Sequence, residues 1–247
     1  MSDAVALIVG SGAAALGLEV VARSPTKTPY GLPSSPVLTV RVGTSRVACL
    51  PRHGEAHEHL PHEINYRANL WALRERGVRR CLAICTVGTI AADFPPGELA
   101  VPEQLIDYTT GRVASYGAEL TSVQHVDFTE PFSAEPRERL LAAIAECGLA
   151  ARAGTYGVTQ GPRLETAAEI DRMERDGCTM VGMTAMPEAV LARELGLEYA
   201  VCAVAVNYAA GRSPSGGAVL DGVLQYTADG MRRAADVLQR VLPRLEV

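Results

Sequence analysis

Arg52 and His53 stand side by side in the run Pro51-Arg-His-Gly54, directly after the aliphatic stretch Val47 to Leu50. A guanidinium and an imidazole at a strand end supply the donors that a phosphate dianion needs. Gly10-Ser11-Gly12 follows the first aliphatic run, where glycine lets backbone amides approach an oxyanion and the serine hydroxyl adds a donor. Thr184 ends a third apolar run, Thr179-Met-Val-Gly-Met-Thr184. Pro187 and Glu188 then suit the first turn of a helix, whose dipole and unpaired amides favour negative charge. Singly, each of these is also what an ordinary α/β turn looks like. Together they fall at strand ends, where open α/β sheets bind ligands. Two other phosphate devices are excluded: G-x-G-x-x-G fails because position 15 is alanine, and no G-x-x-x-x-G-K-[ST] occurs.

His53, His57, His59 and His62 interleave with Glu55, Glu58 and Glu63, which raises the question of zinc. The H-E-x-x-H arrangement needs two histidines four apart on one helical face. Here His57-Glu58 is followed by histidines at 59 and 62 with Pro61 between them, and Gly54 opposes a helix joining His53 to His57. The stretch reads as a solvated loop, and no metal site is expected. Six cysteines, Cys49, Cys81, Cys85, Cys147, Cys178 and Cys202, lie mostly within apolar runs and form no C-x-x-C pair, the pattern of reduced core thiols in a cytoplasmic protein.

The elements that must carry these groups alternate. Short aliphatic runs at 4–9, 46–50, 81–87, 98–106 and 198–206 read as strands; 62–76, 135–147, 165–176, 187–195 and 226–243 read as helices. The alternation predicts an α/β fold with a sheet covered on both faces, in one domain spanning 1–247. The last helix carries Met231, Ala234, Leu238, Val241 and Leu245 on one stripe. Gly211-Arg-Ser-Pro-Ser-Gly-Gly217 is either a surface loop or a mobile lid. With a net charge of −5 and 5% aromatic residues, the chain is unsuited to nucleic acid. The apolar run 4–9 is too short to span a membrane and lacks the flanks of a signal peptide.

Five motifs in order, Pro51-Arg-His-Gly-x-x-His57, Pro61-x-x-x-Asn-Tyr-Arg-Ala-Asn69, Gly161-Pro-Arg163, Val181-Gly-Met-Thr184 and Pro187-Glu-Ala-x-Leu-Ala-Arg-Glu194, resemble the trimeric purine nucleoside and methylthioadenosine phosphorylases. The resemblance covers essentially the whole chain. It implies a central mixed β-sheet flanked by helices, a homotrimer, inorganic phosphate as co-substrate and no cofactor. It assigns phosphate to Ser11, Arg52, His53, Thr86 and Thr184, the ribose to Met183, and the base to Leu164, where the family usually has phenylalanine.

Departures within the resemblance bear on the substrate. Methylthioadenosine-cleaving members usually show Asp-Tyr-Asp where this chain has Asn207-Tyr208-Ala209, and members acting on 6-oxopurines pair an asparagine with a glutamate matching Glu165. An asparagine amide can donate to O6 and accept from a protonated N7, making Asn207 the expected catalytic residue. Glu165 can accept from N1–H, or it is simply a first-turn carboxylate answering a helix dipole. Leu220 and Val223 offer an apolar wall for a methylthio group, or plain core packing. The combined expectation is phosphorolysis of S-methyl-5′-thioinosine to hypoxanthine and 5-methylthioribose 1-phosphate. Methylthioadenosine phosphorolysis and general inosine/guanosine phosphorolysis are the alternatives within the class; outside it stand a non-catalytic nucleoside or phosphate sensor and a hydrolase, the latter disfavoured because so many anion donors would have no purpose if water were the nucleophile.

Overall fold

Apolar residues at every position of the ten-residue strand β5 (Arg80–Thr89) except its ends and Thr86 and Gly88 mark it as the buried centre of the sheet. The computed structural model describes residues 4–117 and 125–246. Along one edge of β5 runs β11 (Glu198–Tyr208), parallel and paired over its whole length. The opposite edge is shared by two shorter strands. β1 (Val5–Val9) pairs in parallel with residues 80–83, and β10 (Cys178–Gly182) pairs antiparallel with Gly88 and Thr89. The C-terminal ends of β1 and β10 therefore approach each other head to head, and residues 84–87 of β5 lie between them without a strand partner on that edge. This gap in the ladder is where the strand-end groups meet.

The remaining strands extend the sheet to eleven. β2 (Glu19–Ser24), β3 (Val37–Val42) and β4 (Ser45–Pro51) form an antiparallel meander that joins β1 through β4, bringing Pro51 beside Val9. β9 (Thr155–Val158) and β7 (Gln104–Asp107) continue beyond β10, while β6 (Leu99–Ala100) and β8 (Ala151–Arg152) lie beyond β11. The sheet is mixed, as the resemblance implied.

Alternation along the central strands divides the core into two faces. Ala6, Ile8, Ala83, Cys85, Val201 and Ala203 pack on one side with α1 (Tyr66–Glu75) and α4 (Ala185–Glu194). Leu7, Val9, Leu82, Ile84, Cys202 and Val204 pack on the other with α2 (Ala134–Glu146) and α5 (Val223–Leu245). The stripe Met231, Ala234, Leu238, Val241 and Leu245 is buried. α3 (Ala167–Arg175) starts in a capping box between Thr166 and Glu169. All six cysteines are unpaired, five of them buried and Cys147 partly so.

Several elements differ from the sequence reading. Residues 98–106 are two short strands, because Pro102 has no amide to lend a ladder. β2, β3, β8 and β9 were not expected; β2 is largely exposed and its apolar run, Val20-Val21-Ala22, is only three residues long. The approach to α4 is not a regular helix N-terminus. Met186 is extended (φ −115°, ψ 138°), and Thr184 makes no side-chain capping bond, so the dipole argument for an anion at Thr184 loses its regular first turn.

Candidate functional site

The gap beside β5 opens into a cavity of about 390 Å³ lined by Ser11, Arg52, His53, Thr86, Thr184, Met183, Leu164, Glu165, Asn207, Leu220 and Val223. Eleven residues chosen from sequence thus converge. Tyr208 and Ala209 do not line it. Ala209 is buried in a small apolar cluster with Ile90, Ile170, Met173, Cys178 and Val181, which corrects the expectation that it borders the base.

Arg52 and Glu188 account for the deepest part. Arg52 is 1% exposed, and its Nε and Nη2 donate to the Glu188 carboxylate at 2.7 and 2.9 Å. Tyr199 Oη donates to the same carboxylate at 2.7 Å. Burial works against the guanidinium charge, but Glu188 outweighs it and holds Arg52 well above the ordinary arginine range. Nη1 reaches Ile84 O at 3.4 Å, on the unpaired edge of β5, and lies so close to Gly10 that a Cβ there would stand 2.8 Å from it. Two of the guanidinium nitrogens expected to serve phosphate are therefore engaged by Glu188, and the Nη1 side is what remains for the cavity. Glu188 itself is no simple answer to a helix dipole: it is 1% exposed and is Arg52's counterion.

His53 is fixed by its Nδ1, 2.8 Å from His59 O. A carbonyl only accepts, so Nδ1 carries the hydrogen and neutral His53 presents a bare Nε2. Burial, aided by Arg52, pushes its pKa down to about 4, although the bond to His59 opposes the shift. His57 is exposed, as the reading of a solvated loop expected, and it also lines the cavity. Its ring centroid is 4.4 Å from that of His53, and its Nε2 is 3.5 Å from Ser11 Oγ. A backbone at φ 58° turns it there, a conformation uncommon outside glycine and often kept at ligand sites. The motif spacing to His57 was visible in sequence; the turn that aims it was not. His59, Leu60 and Pro61 also reach the wall; in the sequence Pro61 stands as the start of a motif, His59 only as part of a solvated loop, and Leu60 carries no signal. Among the described residues, no group of three histidine, cysteine or acidic side chains could hold a metal ion.

Thr184 is buried on the opposite lip, with its Oγ1 3.7 Å from Cys85 Sγ. Cys85, Thr86, Val87 and Gly88 form the floor, so this segment of β5 faces the cavity. Burial raises the Cys85 thiol above its usual value. Gly182 precedes Met183 because Tyr156 packs beneath it, where any Cβ would run into the phenol oxygen.

Asn207 owes its direction to a β-bulge. Ala205 pairs with Val87 and Asn207 with Gly88, leaving Val206 as the extra residue. One inserted residue flips the facing of all that follow, so Val206 and Asn207 both contact the cavity. Asn207 Nδ2 donates to Tyr208 O at 2.8 Å, which leaves its second hydrogen and Oδ1 free. Across the cavity Thr159 Oγ1 donates to Glu165 Oε1 at 2.6 Å, which steadies that carboxylate and leaves Oε2. Glu165 lies ahead of α3, whose first turn is served by Glu169, so the simple dipole role falls to Glu169 instead. On the outer side, Leu220 is 63% exposed at the rim, and Val223 and Thr227 open α5 beside it. No residue from 211 to 217 lines the cavity; Arg212 is tied down by Asp171 and Glu174 at 2.9 and 2.8 Å.

No helix among the described residues is long and apolar enough to cross a membrane. Residues 4–243 match the family model described as Phosphorylase superfamily. A protein of Xanthomonas campestris pv. campestris named "Probable S-methyl-5'-thioinosine phosphorylase" is 53% identical over 213 residues, 85% of each chain. A 6-oxopurine nucleoside phosphorylase of Pyrococcus furiosus is 44% identical over 216 residues, 85% of this chain and 81% of that one. Among solved structures, a methylthioadenosine phosphorylase from Schistosoma mansoni in complex with adenine superposes with a TM-score of 0.90 at 29% identity, covering 98% of this chain and 91% of the other. A mixed sheet opened beside β5, the strand-end donors gathered in that opening and these relatives agree: the chain belongs to the phosphorylase superfamily, among its purine nucleoside phosphorylases.

Proposed function

We propose that the chain cleaves S-methyl-5′-thioinosine with phosphate, giving hypoxanthine and 5-methylthioribose 1-phosphate. The observation that carries this reading is that Asn207 and Glu165 line one cavity in which Glu165 is the single carboxylate among the described lining residues. A 6-oxopurine has an acceptor at O6 and a donor at N1, which an amide N–H and a carboxylate match. An adenine reverses both, and each buried mismatch costs about 1–3 kcal/mol. Sites built on such polar matching discriminate by roughly 10⁴. Leu60, Leu220 and Val223 give the cavity an apolar side suited to a methylthio group. The relative named for methylthioinosine supports the same substrate.

In this reading phosphate sits among Ser11, His53, Thr86, Thr184 and the Nη1 side of Arg52. Neutral His53 takes the phosphate P–OH at Nε2. Phosphate attacks C1′ while the glycosidic bond loosens into an oxocarbenium-like transition state over Met183. Negative charge then grows on the departing purine, and the contacts from Asn207 to N7 and O6 strengthen as it does, lowering the barrier. Positioning and charge stabilisation carry the reaction, with no metal or organic cofactor. The working unit is a cytoplasmic homotrimer, a reading supported by the family resemblance and by the unpaired thiols.

A second reading, a general 6-oxopurine nucleoside phosphorylase, is favoured by His57 and His59 on the cavity wall, which could meet a 5′-hydroxyl, and by the Pyrococcus relative. Assays of methylthioinosine, methylthioadenosine and inosine, each with and without phosphate, decide between them. Highest kcat/KM for methylthioinosine, dependent on phosphate, is expected. Preference for inosine moves the assignment to the second reading, and preference for methylthioadenosine overturns the base argument.

A further inference from the structure

We propose that Arg112 is a positioning residue that joins the base-reading wall of the cavity to its sugar-facing wall, with Thr159 passing its effect on to Glu165. The inference rests on the base reading above and goes beyond it, since Arg112 does not line the cavity.

The guanidinium bridges two segments that are separate in the chain. Nη1 donates to Met183 O and Met186 O, both at 2.7 Å, holding the extended link between β10 and α4. Nη2 donates to Gln160 O at 2.8 Å and Thr159 O at 3.3 Å, and Nε to Gln160 Oε1 at 3.1 Å, holding the link between β9 and α3. Thr159 is in turn locked to β10 through its amide, 2.8 Å from Gly182 O. Its hydroxyl ends the chain of contacts on Glu165 Oε1.

Both links are irregular backbone, with Met186 extended at the head of α4, and leaving their part-buried carbonyls unpaired would be costly. One planar group with five N–H donors meets them all at fixed angles. A lysine, donating from one point, cannot span two loops. The five acceptors are neutral oxygens, so this contact set serves to place backbone rather than to form an ion pair. Its consequence is that Glu165, Met183 and Thr184 hold one geometry relative to each other.

The test compares Arg112→Lys, Arg112→Ala and Thr159→Val with the wild type. It reads kcat and KM for methylthioinosine and methylthioadenosine, KM for phosphate, and thermal midpoint. Thr159→Val should lower kcat/KM for the 6-oxo substrate about tenfold, leave the 6-amino substrate and phosphate KM unchanged, and so shift the ratio alone. Arg112→Ala and Arg112→Lys should lose about 10²-fold in kcat/KM and also shift the 6-oxo to 6-amino ratio. Free guanidinium ion should restore part of the Arg112→Ala loss without stimulating the wild type. Arg112→Lys behaving as wild type, or variants with lowered midpoints and unshifted ratios, would overturn the proposal while leaving the enzyme's function in place. A wild type that cleaves none of the nucleosides with phosphate overturns both.

Discussion

Glu188 stands 136 residues after Arg52 in the chain, yet its two carboxylate oxygens meet Arg52 Nε and Nη2 at 2.7 and 2.9 Å with both side chains 1% exposed. The pair ties the end of β4 to the first turn of α4 at the buried end of the cavity. Removing one partner strands the other charge in the interior, which costs about 3–5 kcal/mol. Glu188→Gln is therefore expected to lose that much stability in urea denaturation at neutral pH. A loss below about 1 kcal/mol would mean that water reaches the guanidinium.

His53 gives a pH dependence with a defined sign. Its folded pKa of about 4 lies below the ordinary 6.5, so between those values the unfolded chain binds more protons than the folded one. Stability should fall as pH is lowered through that window, and this contribution is fully present above it. His53→Gln should flatten the corresponding part of the stability curve. Imidazole NMR of the wild type should show His53 neutral from pH 8 down to about 5; a midpoint near 6.5 would contradict the buried, Nδ1-tethered arrangement.

Gly88 and Gly182 should respond differently to alanine. A Cβ at Gly88 would stand 3.0 Å from Asn207 Nδ2, a contact that a side-chain shift of a few tenths of an ångström relieves. Gly88→Ala is expected to reduce kcat by about 10²-fold because the amide moves, with a smaller fall in thermal midpoint than at Gly182, because buried Val181 Cγ1 at 3.3 Å must also give a few tenths of an ångström. At Gly182 the obstacle is the buried Tyr156 ring. Gly182→Ala should lower stability by about 1–3 kcal/mol as well as activity, and Tyr156→Phe combined with it should recover part of the stability.

Asn207→Asp is expected to raise the ratio of 6-amino to 6-oxo nucleoside cleavage by at least about tenfold, since a carboxylate facing O6 sets acceptor against acceptor. The substitution is best made alone. Ala209 is 2% exposed in an apolar cluster, and an aspartate there would bury a charge with no partner, so Ala209→Asp should destabilise the chain rather than retune the site. An unchanged substrate ratio in Asn207→Asp would show that the base is read elsewhere.

The parts of the site legible in sequence were those where local chemistry and chain periodicity coincide. Ser11, Arg52, His53 and Thr184 follow aliphatic runs, and strand ends are where such runs deliver polar groups. Asn207 and Glu165 were legible through motifs. His57 was visible in a motif but its aim into the cavity was not, and Leu60 gave no sign, because a left-handed turn and the proline-bearing loop after it have no period to read. Arg112 was missed for a related reason: four of its five partners are backbone carbonyls, which leave no trace in residue identity.

From residue order alone came the α/β alternation, the two-sided burial of β1, β5 and β11, and the set of anion donors, since each follows from nearest-neighbour chemistry along the chain. Tertiary structure decided how those donors are used. The head-to-head approach of β1 and β10 on β5 makes the cavity, the bulge at Val206 aims Asn207, and Glu188 takes two nitrogens of the Arg52 guanidinium that sequence had assigned to phosphate. Each of these depends on which distant segments share an edge or a buried charge, and that is settled by packing the whole sheet at once.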